Sequence, residues 1–509
     1  MKNWILKVLF IIFVPLLLAL TIRGNVGDPL FYQKEKDTRV GGPFESTGST
    51  SRYALTEAIV ENGSVFLNLD QAHFSSPDLV EKDGKFLSIF APGVAFIGVP
   101  FYLIGKYLGL PQLFTYLSVT LFAILNFLLV SRLAFKMGAG YWASILAGFI
   151  FTFATNALGY SQTFTQHHMA TSVILLGIMN AYQKRTIWNN FTFGALVGIG
   201  ALLDIPNVIF MMPMGLYILA QHISKTTIKD RLRISLQTKI FTLLVGLIPF
   251  LILFGWYNHK TTGGYTLLAQ SVGRTDIFKI EDPNKKIETK IETPREETAP
   301  GIDLPFDTRV QLQGFYILLL SNERAWMFYS PIVLLGIFGL ILLVKNKALS
   351  NLGVLCVSVV VMNVLLYSMF GDPWGGWSFG PRYLIPSAAV LAAGSSLVVR
   401  KYKKNYIFLA FLVFFMVYSI FVSSLGALTT NSIPPKGEAK NLVNPIPYTY
   451  KYNFKLAETN NSSSLIYNVY LSPYITSLVY IYIFSGLVSL VVICNILFVR
   501  FWEENKNEH

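Results

Sequence analysis

Apolar stretches of helical length recur along the chain, separated by short polar turns and by three long polar segments. A helix that crosses the hydrocarbon of a bilayer needs roughly 20 mostly apolar residues. Runs of that kind fall at 4–22, 112–134, 140–158, 166–183, 190–204, 206–222, 239–257, 326–344, 350–370, 382–399, 405–425 and 475–499. The pattern therefore predicts an all-α polytopic membrane protein with about 12 transmembrane helices. The first run is followed by Arg23 and lacks a small-residue cleavage site, which predicts a retained anchor. Residues 86–107 are also apolar, but Pro92 and Pro100 interrupt them, so this segment is expected to lie along the interface as short helices. The long polar segments are 23–111, 258–325 and 426–474. The expected division is a membrane module over 1–425, followed by 426–509 as an outer loop, a last span and a tail.

Composition sharpens this picture. Of 509 residues, 53% are hydrophobic and only 14% charged, and the mean hydropathy is +0.50. These values argue against a soluble enzyme, a disordered chain and a collagen. The net charge of +13 could point to nucleic acid, but its placement says otherwise. With both termini in the cytoplasm, the inner segments hold 19 of the 41 basic residues and four of the 28 acids. Short basic inner loops and long neutral outer ones match the positive-inside rule. The chain is thus placed in the cell (plasma or inner) membrane with its long loops outside, and no nucleic-acid partner is expected. Cys356 and Cys494 lie in apolar runs and read as inert thiols. The glycine pairs lack the strand-to-helix setting of a nucleotide loop.

Candidate chemistry gathers where spans meet outer loops. The first loop carries Arg52-Tyr53 and Glu57-Ala58, then Asp78, Lys85 and Phe90-Ala91-Pro92-Gly93. Its candidate catalytic carboxylates are Asp28, Glu45, Glu57 and Asp78, of which Asp78 is preferred because a proline precedes it within one compact loop. His167-His168 opens the fourth run; without an i, i+4 partner it reads as hydrogen-bonding or structural, and no metal is assigned. Asp204 stands at an outer turn. The second loop is bounded by Trp256-Tyr257-Asn258-His259 with Tyr265, and by Ser321-Asn322-Glu323-Arg324 before Tyr329-Ser330-Pro331. The sharpest stretch is Gly371-Asp372-Pro373-Trp374-Gly375-Gly376-Trp377-Ser378-Phe379-Gly380-Pro381-Arg382-Tyr383. Its tryptophans suit stacking on sugar rings, and an arginine at the membrane edge calls for an anion, for which a lipid phosphate is available.

These motifs resemble the GT-C superfamily of lipid-dependent glycosyltransferases, such as protein O-mannosyltransferases and aminoarabinose transferases. Tyr53-x-x-x-Glu57-Ala58 and Phe90-Ala91-Pro92-Gly93 hold roughly the places of that family's first-loop helix and Pro element. The stretch from Gly375 to Pro386 is similar to a Gly-Gly-x-Ser-x-Gly-Pro-Arg-Tyr-Leu-x-Pro signature of prokaryotic members. The family's acidic pair before the tyrosine is replaced here by Ser49-Thr50-Ser51-Arg52. The resemblance implies transfer of a sugar from a polyprenyl-phosphate-linked donor to a glycan, lipid or protein acceptor on the outer face, by inverting displacement. It implies a carboxylate base among Asp78, Glu45 and Glu57, and phosphate contacts from Arg382, Arg52, Lys85 and Arg324. Sugar or acceptor contacts fall to Trp374, Trp377, Tyr383, His167, His168 and Tyr265. No cofactor is implied, and a divalent metal stays open. Two alternatives also stay open: a transporter or flippase of lipid-linked sugar or small solutes, and a non-catalytic binding subunit.

Overall fold

The computed structural model describes residues 2–24, 41–228, 231–277 and 308–502. The candidate Asp28 lies outside these residues. The chain is mostly helical, and the apolar runs fold as helices, although 326–344 breaks at Ser330-Pro331 and 140–158 breaks after Phe153. In order these are α1 (Lys2–Ala19), α2 (Thr47–Glu61), α3 (Leu69–Ser75), α4 (Gly93–Tyr107), α5 (Pro111–Lys136), α6 (Tyr141–Phe153), α7 (Ala157–Tyr160), α8 (His167–Ala181), α9 (Ile187–Leu203), α10 (Pro206–His222) and α11 (Thr242–Thr262). After the second loop follow α12 (Leu335–Lys345), α13 (Ser350–Ser368), α14 (Ile385–Tyr402), α15 (Tyr406–Leu428) and α16 (Ser477–Trp502). Among the described residues, six helical segments are long and apolar enough to cross a membrane: 111–136, 238–262, 350–368, 382–402, 406–428 and 477–502. Shorter apolar helices accompany them at 10–19, 93–107, 141–153, 187–203 and 331–345.

Local chemistry sets the helix ends. Thr186 and Asn405 cap α9 and α15 by accepting the N–H of Asn189 and Phe408. Pro111 and Pro206 begin α5 and α10, where a missing N–H costs nothing. Asn68 and Gln71 form a reciprocal capping box on α3. Gly263, at φ +81°, ends α11 in the left-handed conformation.

Lipid supplies no hydrophobic drive between helices, so close packing depends on small residues. Gly336 and Gly339 of α12 lie against the backbone of Leu391 and Gly394 in α14. Gly194 of α9 and Gly246 of α11 make the same kind of approach, each against the other helix's backbone.

The first loop folds onto the outer ends of these helices. Strands β1 (Leu79–Lys82) and β2 (Lys85–Ser88) pair antiparallel around Asp83-Gly84, both at positive φ. That two-residue Asp-Gly turn is a strong short-range hairpin signal. Gly93, at the start of α4, sits on the backbone of Leu202 and Leu203, and Gly98 sits on Phe164 and Thr56. The opposite side of α4 exposes Leu103, Ile104 and Tyr107. Over 86–107, the end of strand β2 and the single helix α4 thus replace the short helices expected there.

Helix α15 runs unbroken to Leu428, and the segment beyond it pairs with the end of α1: Leu465 N donates to Ile22 O at 2.7 Å and Gly24 N to Ser463 O at 3.1 Å.

The α12–α14 crossing makes a direct prediction. Gly339→Ala places a methyl against the Gly394 carbonyl and is expected to cost about 1–3 kcal/mol. Gly486→Ala, which meets open space, serves as the control. Thermal unfolding in detergent checks both, and equal melting temperatures would show that the crossing has room to spare.

Candidate active site

Two buried arginines pin the loops together at this end of the helix bundle. Arg23, just past α1, pairs with Glu45 at 2.5 Å, and both side chains are almost entirely buried. Arg23 also donates to Gly426 O at 3.1 Å, while its own carbonyl accepts the Tyr116 hydroxyl at 2.6 Å. Both Glu45 oxygens are occupied: Oε1 by Arg23 and Asn431 N (2.6 Å), Oε2 by Gly41 N (2.9 Å) and Thr430 Oγ1 (2.5 Å). Glu45 therefore clasps the start of the first loop to the chain that follows α15.

Arg324 is the second pin. Its Nε donates to Trp374 O (3.0 Å), Nη1 to Glu323 O (2.8 Å), and Nη2 to Gly376 O (3.3 Å) and Ile433 O (2.9 Å). Each guanidinium nitrogen is thus spent on a backbone carbonyl, and the residue is wholly buried. The phosphate role expected for Arg324 gives way to a structural one: it holds the Trp374–Gly376 turn. The neighbouring Glu323 accepts the Trp374 indole N–H at 2.9 Å and the Lys436 N–H at 2.8 Å. Trp374 is oriented from behind, and Trp377 is tied to Glu438 at 2.6 Å while 40% exposed.

Between these pins lies a cleft lined by Glu45, Ser46, Tyr160, Thr163, Thr165, Trp377, Arg382, Asn431 and Ser432. Arg382 is brought there by the Gly-Pro turn that opens its helix, and its guanidinium lies 5.3 Å from the Tyr383 ring centroid. Tyr383 in turn stacks on Tyr367 at 4.2 Å with nearly parallel planes. Arg382 Nε is buried with no hydrogen-bond partner, and among the described residues no carboxylate forms an ion pair with this side chain. Gly375 makes this position available: at φ +74° its missing Cβ would stand 2.8 Å from Arg382 Nε.

Arg52 approaches from α2. Its Nη1 bonds the Gly48 carbonyl at 2.7 Å, and its guanidinium lies 3.8 Å over the Phe90 ring. Its Nε has no partner. Burial pushes this guanidinium down to about 10; Asp204 opposes the fall, Arg382 adds to it, and Asp78 opposes it more weakly. Arg52 therefore feels both Arg382 and Asp204 across a desolvated space. His167, nearly buried, packs its ring 5.1 Å from that of Tyr160, whose hydroxyl accepts the Phe379 N–H.

Other expected residues sit elsewhere. Asp78 is bound by Arg274 at 2.6 Å beside the hairpin, and Lys85 is exposed on that hairpin over Phe66. Glu57 lies about 140° around α2 from Arg52, at 100° per residue. It accepts from Gln71 at 3.0 Å, and burial raises its carboxyl above the usual range. His168 is a structural group, with Nε2 at 2.8 Å from Ala157 O and Nδ1 at 3.2 Å from Asn126. Tyr265 is 67% exposed and stacks on His259.

The structure thus gathers Glu45, Arg382, Trp377 and His167, with Arg52 and Tyr383 beside them. It does not bring Asp78, Lys85, Glu57, His168 or Tyr265 into the cleft lining. The sequence does not single out Tyr160 and Asn431, which line the cleft, or the Gln166–Asp204 pair, which is joined at 3.2 Å next in sequence to the cleft residue Thr165. Only Asp204 carried a signal, as an acid standing alone between two apolar runs.

The two kinds of arginine separate in a stability measurement. Arg324→Lys is expected to cost about 2–4 kcal/mol, because several carbonyls lose a charged donor. Arg382→Lys is expected to change stability by less than about 1 kcal/mol, because no protein acceptor is lost. Thermal unfolding, with tryptophan fluorescence reporting Trp374, checks both.

No family model matches the sequence, and no curated protein matches it. Solved structures do. The chain is similar to ArnT from Cupriavidus metallidurans in the apo state, with TM-score 0.47 and 12% identity, over 98% of this chain and 77% of that one. It is similar to the same protein bound to undecaprenyl phosphate with TM-score 0.45 and 12% identity, over 98% and 78% of the two chains. At these values the likeness assigns no activity to this chain.

Proposed function

We propose that this protein is a multi-pass glycosyltransferase of the cell membrane. In this reading about twelve spans place both termini in the cytoplasm and the cleft on the outer side. The donor is a sugar on a polyprenyl phosphate, and the acceptor is a hydroxyl of a glycan, lipid or protein. One observation carries the reading: a partly buried Arg382 without an ion-pair partner, at the edge of an apolar helix, in a cleft that also holds Trp377.

The chemistry follows from those groups. A guanidinium in a low-dielectric site is stabilised by an anion that brings its own acceptor oxygens, and a phosphate fits a planar fork of donors. Arg52, held over Phe90, adds a second positive charge to the same region. As the anomeric carbon–oxygen bond breaks, negative charge grows on the phosphate. Two fixed guanidinium groups stabilise that charge without moving, which is the main way such a site lowers a barrier. Trp377 presents an aromatic edge of the cleft to the sugar, anchored through Glu438. The polyprenyl tail stays in the bilayer beside the apolar helices. A single displacement then inverts the anomeric centre.

Equilibrium binding of undecaprenyl phosphate to the purified protein in nanodiscs tests this reading. Arg382→Gln is expected to weaken binding at least about tenfold, the equivalent of about 1.4 kcal/mol. Unchanged affinity would place the phosphate elsewhere and end the assignment.

A further inference from the structure

The proposed reaction needs a group that takes the acceptor's proton, and the first-loop carboxylates are poorly placed for it. Glu45 has four donors on its two oxygens. Asp78 is engaged by Arg274, and Glu57 by Gln71 on another side of α2. Asp372, next to the cleft, turns its Oδ2 back onto the Gly376 N–H.

Asp204 differs. It ends α9 in extended backbone, with φ −171° and ψ 130°, and so points away from the helix it terminates. The residues before it, Leu202 and Leu203, are buried, whereas Asp204, Ile205 and Pro206 keep partial exposure. Three elements converge on that turn. The Pro92-Gly93 start of α4 rests on the Leu202–Leu203 backbone. Gln166, between the cleft residue Thr165 and His167, donates to Asp204 Oδ2 at 3.2 Å. Phe210, one turn into α10, meets Tyr367, which stacks on Tyr383 beside Arg382. Asp204 lies within the electrostatic reach of Arg52 and Arg382, the two arginines given to the phosphate. A carboxylate in their field, oriented by the Gln166 amide and the Ile205 N–H, keeps acceptor capacity.

We infer that Asp204 is the carboxylate that accepts the proton of the acceptor hydroxyl, an inference that rests on the glycosyltransferase reading above. The acceptor oxygen forms its bond to the anomeric carbon as its proton passes to Asp204. The bond from that carbon to the phosphate oxygen breaks, and its electron pair leaves with the polyprenyl phosphate. Arg52 and Arg382 receive the new charge, and Gln166 keeps Asp204 oriented. Atoms and electrons balance with no further reagent: alcohol plus sugar phosphate lipid gives glycoside plus polyprenyl phosphate.

The test uses the full chain in nanodiscs with a panel of radiolabelled undecaprenyl-phosphate-linked hexoses and pentoses. Membranes of the source organism supply acceptors, and released undecaprenyl phosphate is the readout. Asp204→Asn is expected to lower turnover at least about 100-fold, with the Kd for undecaprenyl phosphate within about threefold of wild type. Asp204→Glu keeps the carboxylate and is expected to recover about tenfold over Asp204→Asn. Asn-variant turnover close to wild type overturns this inference and leaves the phosphate site intact. Loss of lipid binding in both variants, parallel to the loss of turnover, also overturns it, because Asp204 would then shape the site. A wild-type protein that does not bind undecaprenyl phosphate overturns the parent reading along with it.

Discussion

A guanidinium taken out of water must find acceptors, since an unpaired buried charge is among the most expensive things a fold can carry. The cleft end of the helix bundle is arranged around four guanidinium groups. Arg23 is balanced by Glu45 and a helix-end carbonyl, and Arg324 by four backbone carbonyls from three separate turns. These two draw the first loop, the Trp374–Gly376 turn and the chain after α15 into one body. Arg52, buried, and Arg382, partly exposed, keep an Nε without a partner and form no carboxylate ion pair among the described residues. What separates them from Arg23 is the missing counter-charge.

The site is non-local to an unusual degree. Glu45 meets Asn431, Arg324 meets Ile433, and Phe379 meets Tyr160. Such contacts form only if the helices beneath them hold fixed distances. Glycine-mediated crossings provide that, with Gly336 and Gly339 seated on α14 and Gly93 seated on the end of α9. A single added methyl at these points moves the helix ends that carry the arginines.

Much of the helix pattern is legible in the sequence because lipid imposes it: α10 spans 206–222 as its run does, whereas the run 326–344 breaks at Ser330-Pro331. The Trp374–Arg382 stretch stands out in the sequence too, with three glycines, two tryptophans and an arginine at the start of an apolar helix. The roles of the carboxylates were not. Asp78 looked well placed because it precedes Pro92-Gly93, yet Arg274, nearly two hundred residues away, claims it. Arg324 and Arg382 read alike as membrane-edge cations, and only the three-dimensional supply of carbonyls separates them. The β-hairpin was within reach of its Asp83-Gly84 signal. Asp204 becomes informative only through the three-dimensional meeting of α4, Gln166 and α10 at its turn.

The central claim is that Arg382 and Arg52 together hold a lipid phosphate. The most direct measurement is an experimental structure of the full chain in nanodiscs saturated with undecaprenyl phosphate. The account predicts phosphate density within hydrogen-bond distance of the Arg382 guanidinium, on the side facing Arg52, with the isoprenoid tail leaving into the bilayer. Phosphate density elsewhere, with the Arg382 surroundings unchanged, would contradict it.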